Sequence, residues 1–413
     1  MSRDTLLKMQ SNKFSKALIA SAAIMVAFGD LRNATTPLGY WIIWGAWLVL
    51  AIINLLLTKE APKSNPHGAV ALQLRLFGFL WLFVGFFISA IYNSDLVTLY
   101  QAIKLLVICV IGVLINKHSE RIGRESILPI CSLTAWVSCG AFLLTKFIFL
   151  RYQVILGDGR QGSLIAYPGV LWKTGVFFSV FALAHILYGK RKKFMSLLVC
   201  VVGVYTIFMD GSRTGFLLIT FLALMLFAKR ILGLRYSYGG LIGVGGIVLV
   251  AAMYMAGAEY SQFANMRTLP LERLLQGDEE RITMFNDGLA QAEKCLPVGC
   301  GFGSAVTNTK EGPMVIHNAY LSALADVGIA GFAGFILIIL GPFIVFLAAR
   351  LRTGNPQLVT SAYQNYTAAL ALVGFAFVMS VHPLSTEMSE WGLYFLMSSW
   401  MFSEPTNGSV NLE

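Results

Sequence analysis

Apolar runs long enough to cross a bilayer recur along nearly the whole chain, and no other feature limits its fold so severely. A hydrocarbon core about 30 Å thick requires roughly 20 helical residues. No water is present there to bond exposed N–H and C=O groups, so a spanning segment must close its own backbone hydrogen bonds. Twelve runs can be read, at 17–29, 40–57, 69–91, 98–115, 126–149, 166–188, 194–210, 213–228, 239–256, 329–348, 364–381 and 391–402. The expected fold is an all-α polytopic integral membrane protein of about 12 transmembrane helices. Composition agrees: 57% of the 413 residues are hydrophobic, only 13% are charged, and mean hydropathy is +0.70, well outside the soluble range. The first run, Ala17 to Gly29, lacks a small-residue cleavage site and is expected to act as the first anchor.

A net charge of +10 raises the question of nucleic acid, but cations on a membrane protein first report topology. Twelve crossings put both termini on one side. The loops on that side carry Lys59, Lys63, Lys117, Arg121, Arg124, the run Lys190 to Lys193, Lys229, Arg230, Arg235, Arg350 and Arg352. That side is expected to be cytoplasmic, and no nucleic-acid partner is expected. The chain then divides into residues 1–256, with nine helices and a cytoplasmic N-terminus; 257–328, a long outer loop containing helices; and 329–413, with three helices and a cytoplasmic C-terminus. Arg75 and Lys104, near span ends, are expected to snorkel. The outer side nevertheless holds Arg32, Arg151, Arg160, Arg213, Arg267, Arg273, Arg281, Lys294 and Lys310, with Lys146 and Lys173 near that end of their spans. Long loops translocate whatever their charge, which accounts for Arg267, Arg273, Lys294 and Lys310, but Arg213 lies in a connection too short for that. An outward-facing basic cavity fits an anion such as a lipid-borne phosphate or pyrophosphate.

The stretch from Asp278 to Tyr320 concentrates candidate chemistry. Asp278 is a plausible N-cap, Ile282, Phe285, Leu289, Ala292 and Leu296 follow at helical spacing, and Pro297 with Gly299 ends the helix. Arg281 in its first turn, and Arg213 in Asp210-Gly211-Ser212-Arg213-Thr214-Gly215, each put a cation at a helix N-terminus, where the backbone is already positive. Two such guanidiniums can clamp a pyrophosphate in bidentate fashion; the alternative is local pairing, Arg213 with Asp210 and Arg281 with Asp278, Glu279 and Glu280. His317, at the start of a second helix, is the natural general base for a sugar hydroxyl, or else a cap. Asn318 and Tyr320 either orient the ring or a sugar, or cap and pack. Glu387 and Glu390, in the last outer loop with His382, are acidic candidates for orienting an acceptor, or solvated carboxylates. Gly299-Cys300-Gly301-Phe302-Gly303 lacks the strand and acidic residue of a nucleotide fingerprint and reads as a turn allowing close backbone approach. Cys295 and Cys300 are either a small-loop disulfide or free thiols. No outer-side spacing suits a metal, and no cofactor is expected.

Ser212-Arg213-Thr214-Gly215 opening a span, a long outer loop, Arg281 before an amphipathic helix, Pro297-Val298-Gly299-Cys300-Gly301-Phe302-Gly303 and His317-Asn318-Ala319-Tyr320-Leu321 occur in this order. In that order, and over most of the chain, the sequence resembles the O-antigen ligase and O-antigen polymerase superfamily of integral membrane enzymes, the ligases most closely. The resemblance implies a metal-independent, inverting glycosyltransferase of the bacterial inner membrane whose active site faces the periplasm. Its donor would be a polysaccharide on undecaprenyl diphosphate, a membrane lipid, and its acceptor the lipid A-core of lipopolysaccharide. By position, His317 would deprotonate the acceptor hydroxyl, and Arg213 and Arg281 would hold the donor diphosphate, with Arg160 as a further donor contact. A polymerase, a protein O-oligosaccharyltransferase and a transporter of a lipid-linked anion are the alternatives.

Overall fold

A computed structural model of the protein describes residues 3–28, 37–57, 66–122, 124–156, 160–188, 193–232, 279–309, 312–353 and 362–402. Among these residues are twelve α-helices, a single 3-10 turn at Leu150–Tyr152 and one hairpin: α1 Arg3–Ala27, α2 Pro37–Leu57, α3 Pro66–Tyr92, α4 Leu96–Ile122, α5 Arg124–Phe147, α6 Leu171–Tyr188, α7 Lys193–Asp210, α8 Arg213–Leu232, α9 Glu279–Cys295, β1 Val306–Thr309, β2 Gly312–Val315, α10 Ala319–Thr353, α11 Ala362–Met379 and α12 Met388–Phe402. The protein is mostly helical. Among the described residues seven helices, α2, α3, α4, α6, α7, α8 and α10, are long and apolar enough to cross a membrane, as a multi-pass membrane protein requires. At about 1.5 Å per residue, α12 with 15 residues is short of the hydrocarbon thickness. The expected span at 239–256 and the expected cap Asp278 lie outside the described residues.

Two seams of small residues organise the bundle. Lipid tails are as apolar as leucine, so helices associate by close packing rather than by water exclusion. α3 and α10 run antiparallel with Gly85 against Gly331 and Gly78 against Gly334, where an added Cβ would strike the opposing backbone. Gly175 of α6 and Gly203 of α7 meet in the same way.

α10 is interrupted at Gly328 (φ 70°, ψ −169°). The glycine turn after α9 supplies the hydrogen bonds that the break leaves open. Cys300 N donates to Ala325 O (2.9 Å), Gly301 N donates to Asp326 O (3.0 Å), and Ile329 N donates to Pro297 O (3.0 Å). Ser89 Oγ adds a bond to Asp326 O (2.8 Å). Gly299, Gly301 and Gly303 all have positive φ, and a Cβ on Gly328 would collide with Pro297 O, so only glycine lets the two backbones meet. Cys295 and Cys300 are disulfide-bonded across this turn.

Three local expectations change. The alternating, β-branched Val306-Thr307-Asn308-Thr309 forms an antiparallel hairpin with 312–315, in register Val306↔Val315 and Thr309↔Gly312, so the long loop is not purely helical. Arg75 does not snorkel: it is buried, with Nη1 donating to Ser398 Oγ (2.7 Å) and Nη2 to Asn116 Oδ1 (3.0 Å). Lys104 is likewise buried, because Glu387 and Thr386 reach it from the start of α12.

Candidate functional site

The starts of α6 and α8 lie side by side, with Trp172 against Gly215. Between them sits Asp210, the last residue of α7 and fully buried. Its Oδ1 accepts from Gly169 N (2.8 Å) and its Oδ2 from Trp172 N (2.9 Å). An anion thus fills the positive N-terminus of α6. Arg160 closes the arrangement from the α5–α6 loop, donating from Nη2 to Asp210 Oδ1 (2.8 Å) and from Nε to Asp210 O (2.9 Å). The Asp210 carboxylate, weighed as a local partner for Arg213, is thus bonded by Arg160. Gly211, with φ 66°, turns the chain so that Arg213 opens α8 at the same corner, partly exposed. Lys146 of α5 stands nearby on Tyr205 Oη (3.2 Å) and Met209 Sδ (3.3 Å).

His317 follows β2, and Asn318 caps α10 by accepting from Tyr320 N and Leu321 N (both 3.1 Å). His317 Nδ1 bonds Val315 O at 2.9 Å. A carbonyl only accepts, so Nδ1 carries the proton and Nε2 is the basic nitrogen of the neutral ring. Tyr320 is a packing residue: its hydroxyl donates to Ala376 O (2.8 Å) and its ring meets Phe335 edge-on. Of the two residues proposed to orient the ring or a sugar, one thus caps and the other packs.

A second histidine completes the rim. Lys173, one residue beyond Trp172, donates from Nζ to His382 Nε2 (2.9 Å) and to Glu390 Oε1. Glu390 Oε1 lies 3.4 Å from His382 Nε2, while His382 Nδ1 bonds Pro383 O (3.2 Å). Loss of hydration holds the His382 imidazole down to about 4, with the Lys173 ammonium and His317 pushing the same way against the attraction of Glu390. His382 is consequently neutral at pH 7, and His317 is within electrostatic reach of it. Glu387, a candidate orienting carboxylate, holds Lys104 (3.1 Å).

The arrangement brings His382, Lys173, Asp210, Arg160 and the start of α8 with Arg213 along one rim, with His317 within electrostatic reach of His382. Arg281 lies in the first turn of α9; its side chain is outside the described residues. Sequence reasoning placed Lys173 near the outer end of its span but did not foresee its pairing with Glu390, although an ionisable residue one turn into an apolar helix is a signal in itself. No group of three or more His, Cys, Asp or Glu able to hold a metal occurs among the described residues. Neither known protein families nor curated proteins give a significant match to the chain.

Proposed function

We propose that the protein is a membrane glycosyltransferase that moves a polysaccharide from undecaprenyl diphosphate to the lipid A-core sugar of lipopolysaccharide. The observation that carries this reading is the line of contacts along the rim. It runs from His382 through Lys173 and Trp172 to Asp210 and Arg160, and ends where Arg213 opens α8, with His317 within electrostatic reach of His382. A base with a defined basic nitrogen and a corner rich in fixed cations is what an acceptor hydroxyl and a diphosphate leaving group each require.

In the proposed step the acceptor oxygen attacks the anomeric carbon with inversion while its proton passes to His317 Nε2. The bond from that carbon to the diphosphate oxygen breaks, and the electron pair leaves with the diphosphate. Arg213 and Arg281 stabilise the charge on it, with Arg160 as a further contact, so that fixed guanidiniums do without a metal ion or cofactor.

Orientation belongs to the same proposal. About twelve crossings, with both termini cytoplasmic, put residues 257–328 and the rim on the periplasmic face of the inner membrane. The basic loops support this through the insertion bias, and the Cys295–Cys300 disulfide fits an oxidising compartment. Transport draws support from one observation, the break in α10, since broken helices mark many transporter sites. Here, however, the glycine turn takes up the open backbone groups at 325, 326 and 329, which favours a rigid support over an ion site.

Reconstitution tests the proposal. Purified protein is given undecaprenyl diphosphate-linked glycan with lipid A-core, with an acceptor peptide, or alone. Glycan on lipid A-core is the expected product. Longer lipid-linked chains from donor alone would make it a polymerase, and glycosylated peptide a protein transferase. Donor crossing liposomes without any covalent product would make it a transporter.

A further inference from the structure

α9 is apolar on two flanks, and the rest of the protein covers only one of them. Met284, Gly288, Ala292 and Cys295 are buried, with Gly288 and Ala292 against Ile316 and Leu321. Asp287 is taken up by Thr307 of β1. Leu296 continues the helix, its N–H donating to Ala292 O (3.1 Å). Phe285, Leu289 and Leu296 lie within about 40° of arc of one another, beside the packed face, and stay 40%, 47% and 40% exposed. The next face round, with Asn286, Glu293 and Lys294, is polar and exposed. A helix with protein, apolar and polar flanks in succession suits a membrane interface.

Position decides what covers the stripe. Residues 329–349 of α10 carry no charge and, at about 1.5 Å each, cover about 30 Å, the hydrocarbon thickness, before Arg350. The break at Gly328 therefore stands at one edge of the hydrocarbon. Tyr320 and Phe335 would be about 22 Å apart along a straight helix, yet their ring centroids are 5.4 Å apart. Residues 319–327 thus fold across the end of the bundle instead of continuing away from it. α9 packs on this crossing segment, and the turn after its last residues is tied to the break, Pro297 O accepting from Ile329 N (3.0 Å). Ile329 is itself 53% exposed, within a span. At the same turn Gly299 O accepts from Asn93 Nδ2 (2.9 Å), two residues after the exposed Ile91 at the end of α3. The stripe is thereby continuous with the lipid-facing surface of α3 and α10.

We infer that α9 docks on the bilayer, with Phe285, Leu289 and Leu296 entering the boundary between lipid headgroups and acyl chains at the end of the bundle that carries the rim. The partner is the lipid surface itself, met through apolar area while Asn286, Glu293 and Lys294 stay in water. Because Ile316 rests against α9, the docking also sets the height of the adjoining His317 above the hydrocarbon. For that consequence alone the inference rests on the glycosyl-transfer reading; the docking does not.

Photo-crosslinking of the full chain in nanodiscs of phosphatidylethanolamine and phosphatidylglycerol tests this. The photoreactive residue p-benzoylphenylalanine is placed in turn at Phe285, Leu289 and Leu296. Ile344, exposed on the span of α10, and Lys294, on the polar face, serve as references. After irradiation, mass spectrometry should find lipid adducts at the three stripe positions within about threefold of the yield at 344 and about tenfold above that at 294. An adduct at 344 also reports an inserted bundle. On the unaltered protein, a phospholipid with a diazirine beside its glycerol should label residues 283–296 about threefold or more above one with the diazirine at the chain end. Crosslinks from 285 and 289 to residues 233–278 or to a second copy of the chain, with an adduct at 344 but none to lipid at the stripe, would overturn the docking. Equal lipid yields at 289 and 294 would overturn it too. If the stripe adducts form while the protein transfers glycan to no acceptor, the docking stands and the glycosyl-transfer reading falls. Transfer without stripe adducts keeps that reading and removes the docking.

Discussion

At one end of the helix bundle Arg75 donates to both Asn116 and Ser398, and His118 is held by Ser15 Oγ (3.1 Å) and Ala51 O (3.2 Å). At the other end Lys173 meets Glu390 and His382, Arg160 meets Asp210, and Lys104 meets Glu387. Both sets are substantially buried, but their chemistry differs. The first joins α1, α2, α3, α4 and α12 by surrounding one guanidinium and one imidazole with hydroxyls, an amide and a carbonyl, and all its named members are buried. The second is built from full charges, includes half-exposed members, and lies beside His317 and Arg213, which are only partly covered. A single guanidinium buried among hydroxyls and an amide ties helices together; several fixed charges at a rim create a field that acts on whatever arrives there.

That contrast can be broken most forcefully at His317. His317→Ala should lower transfer by about 10²–10⁴-fold, the usual range for a lost general base, while donor binding in a filter or fluorescence assay stays close to wild type. Arg213→Lys retains the charge but not the planar fork and should cost about 10–100-fold in kcat/KM. An unimpaired Arg213→Lys protein would return that residue to a structural ion pair.

Gly328→Ala sharpens the comparison by probing support rather than charge. A Cβ there meets Pro297 O in a left-handed conformation, so a loss of about 1–3 kcal/mol is expected, read as a lower thermal midpoint in detergent. The acid stability of the rim gives a subtler test. His382 has an ordinary value of 6.5 and is held near 4 in the folded protein. Between those limits the unfolded chain binds a proton that the folded chain does not, so His382 costs no stability above that window and costs progressively more as pH falls through it. His382→Asn should therefore weaken the fall in thermal midpoint between pH 7 and pH 5. At the opposite end, Arg75→Met replaces a buried charge by a side chain of similar length. Transfer should stay within about threefold of wild type, less than about 0.7 kcal/mol on the barrier.

What the sequence disclosed follows from the range of each interaction. Helices, their breaks and their caps are local: the apolar runs, the end of α9 before Pro297, the start of α10 at Asn318 and the glycine turn could all be read from neighbours a few residues apart. The charge partners could not. Asp210 pairs with Arg160, 50 residues away, and Lys173 finds Glu390 at a separation of 217 residues. Likewise Lys104 and Arg75 looked like snorkelling cations because nothing in their own helices revealed Glu387 or Ser398. Tyr320 was ambiguous for the same reason, its acceptor being the Ala376 carbonyl of α11.

The most direct test of the account is the rate of glycan transfer by purified wild-type and His317→Ala proteins in the presence of a chelator, with donor binding measured on the same samples. The account predicts full transfer by the wild-type protein without added metal, and donor bound but almost none transferred by the variant. Transfer by His317→Ala at the wild-type rate, or a wild-type protein silent until a divalent ion is restored, would contradict it.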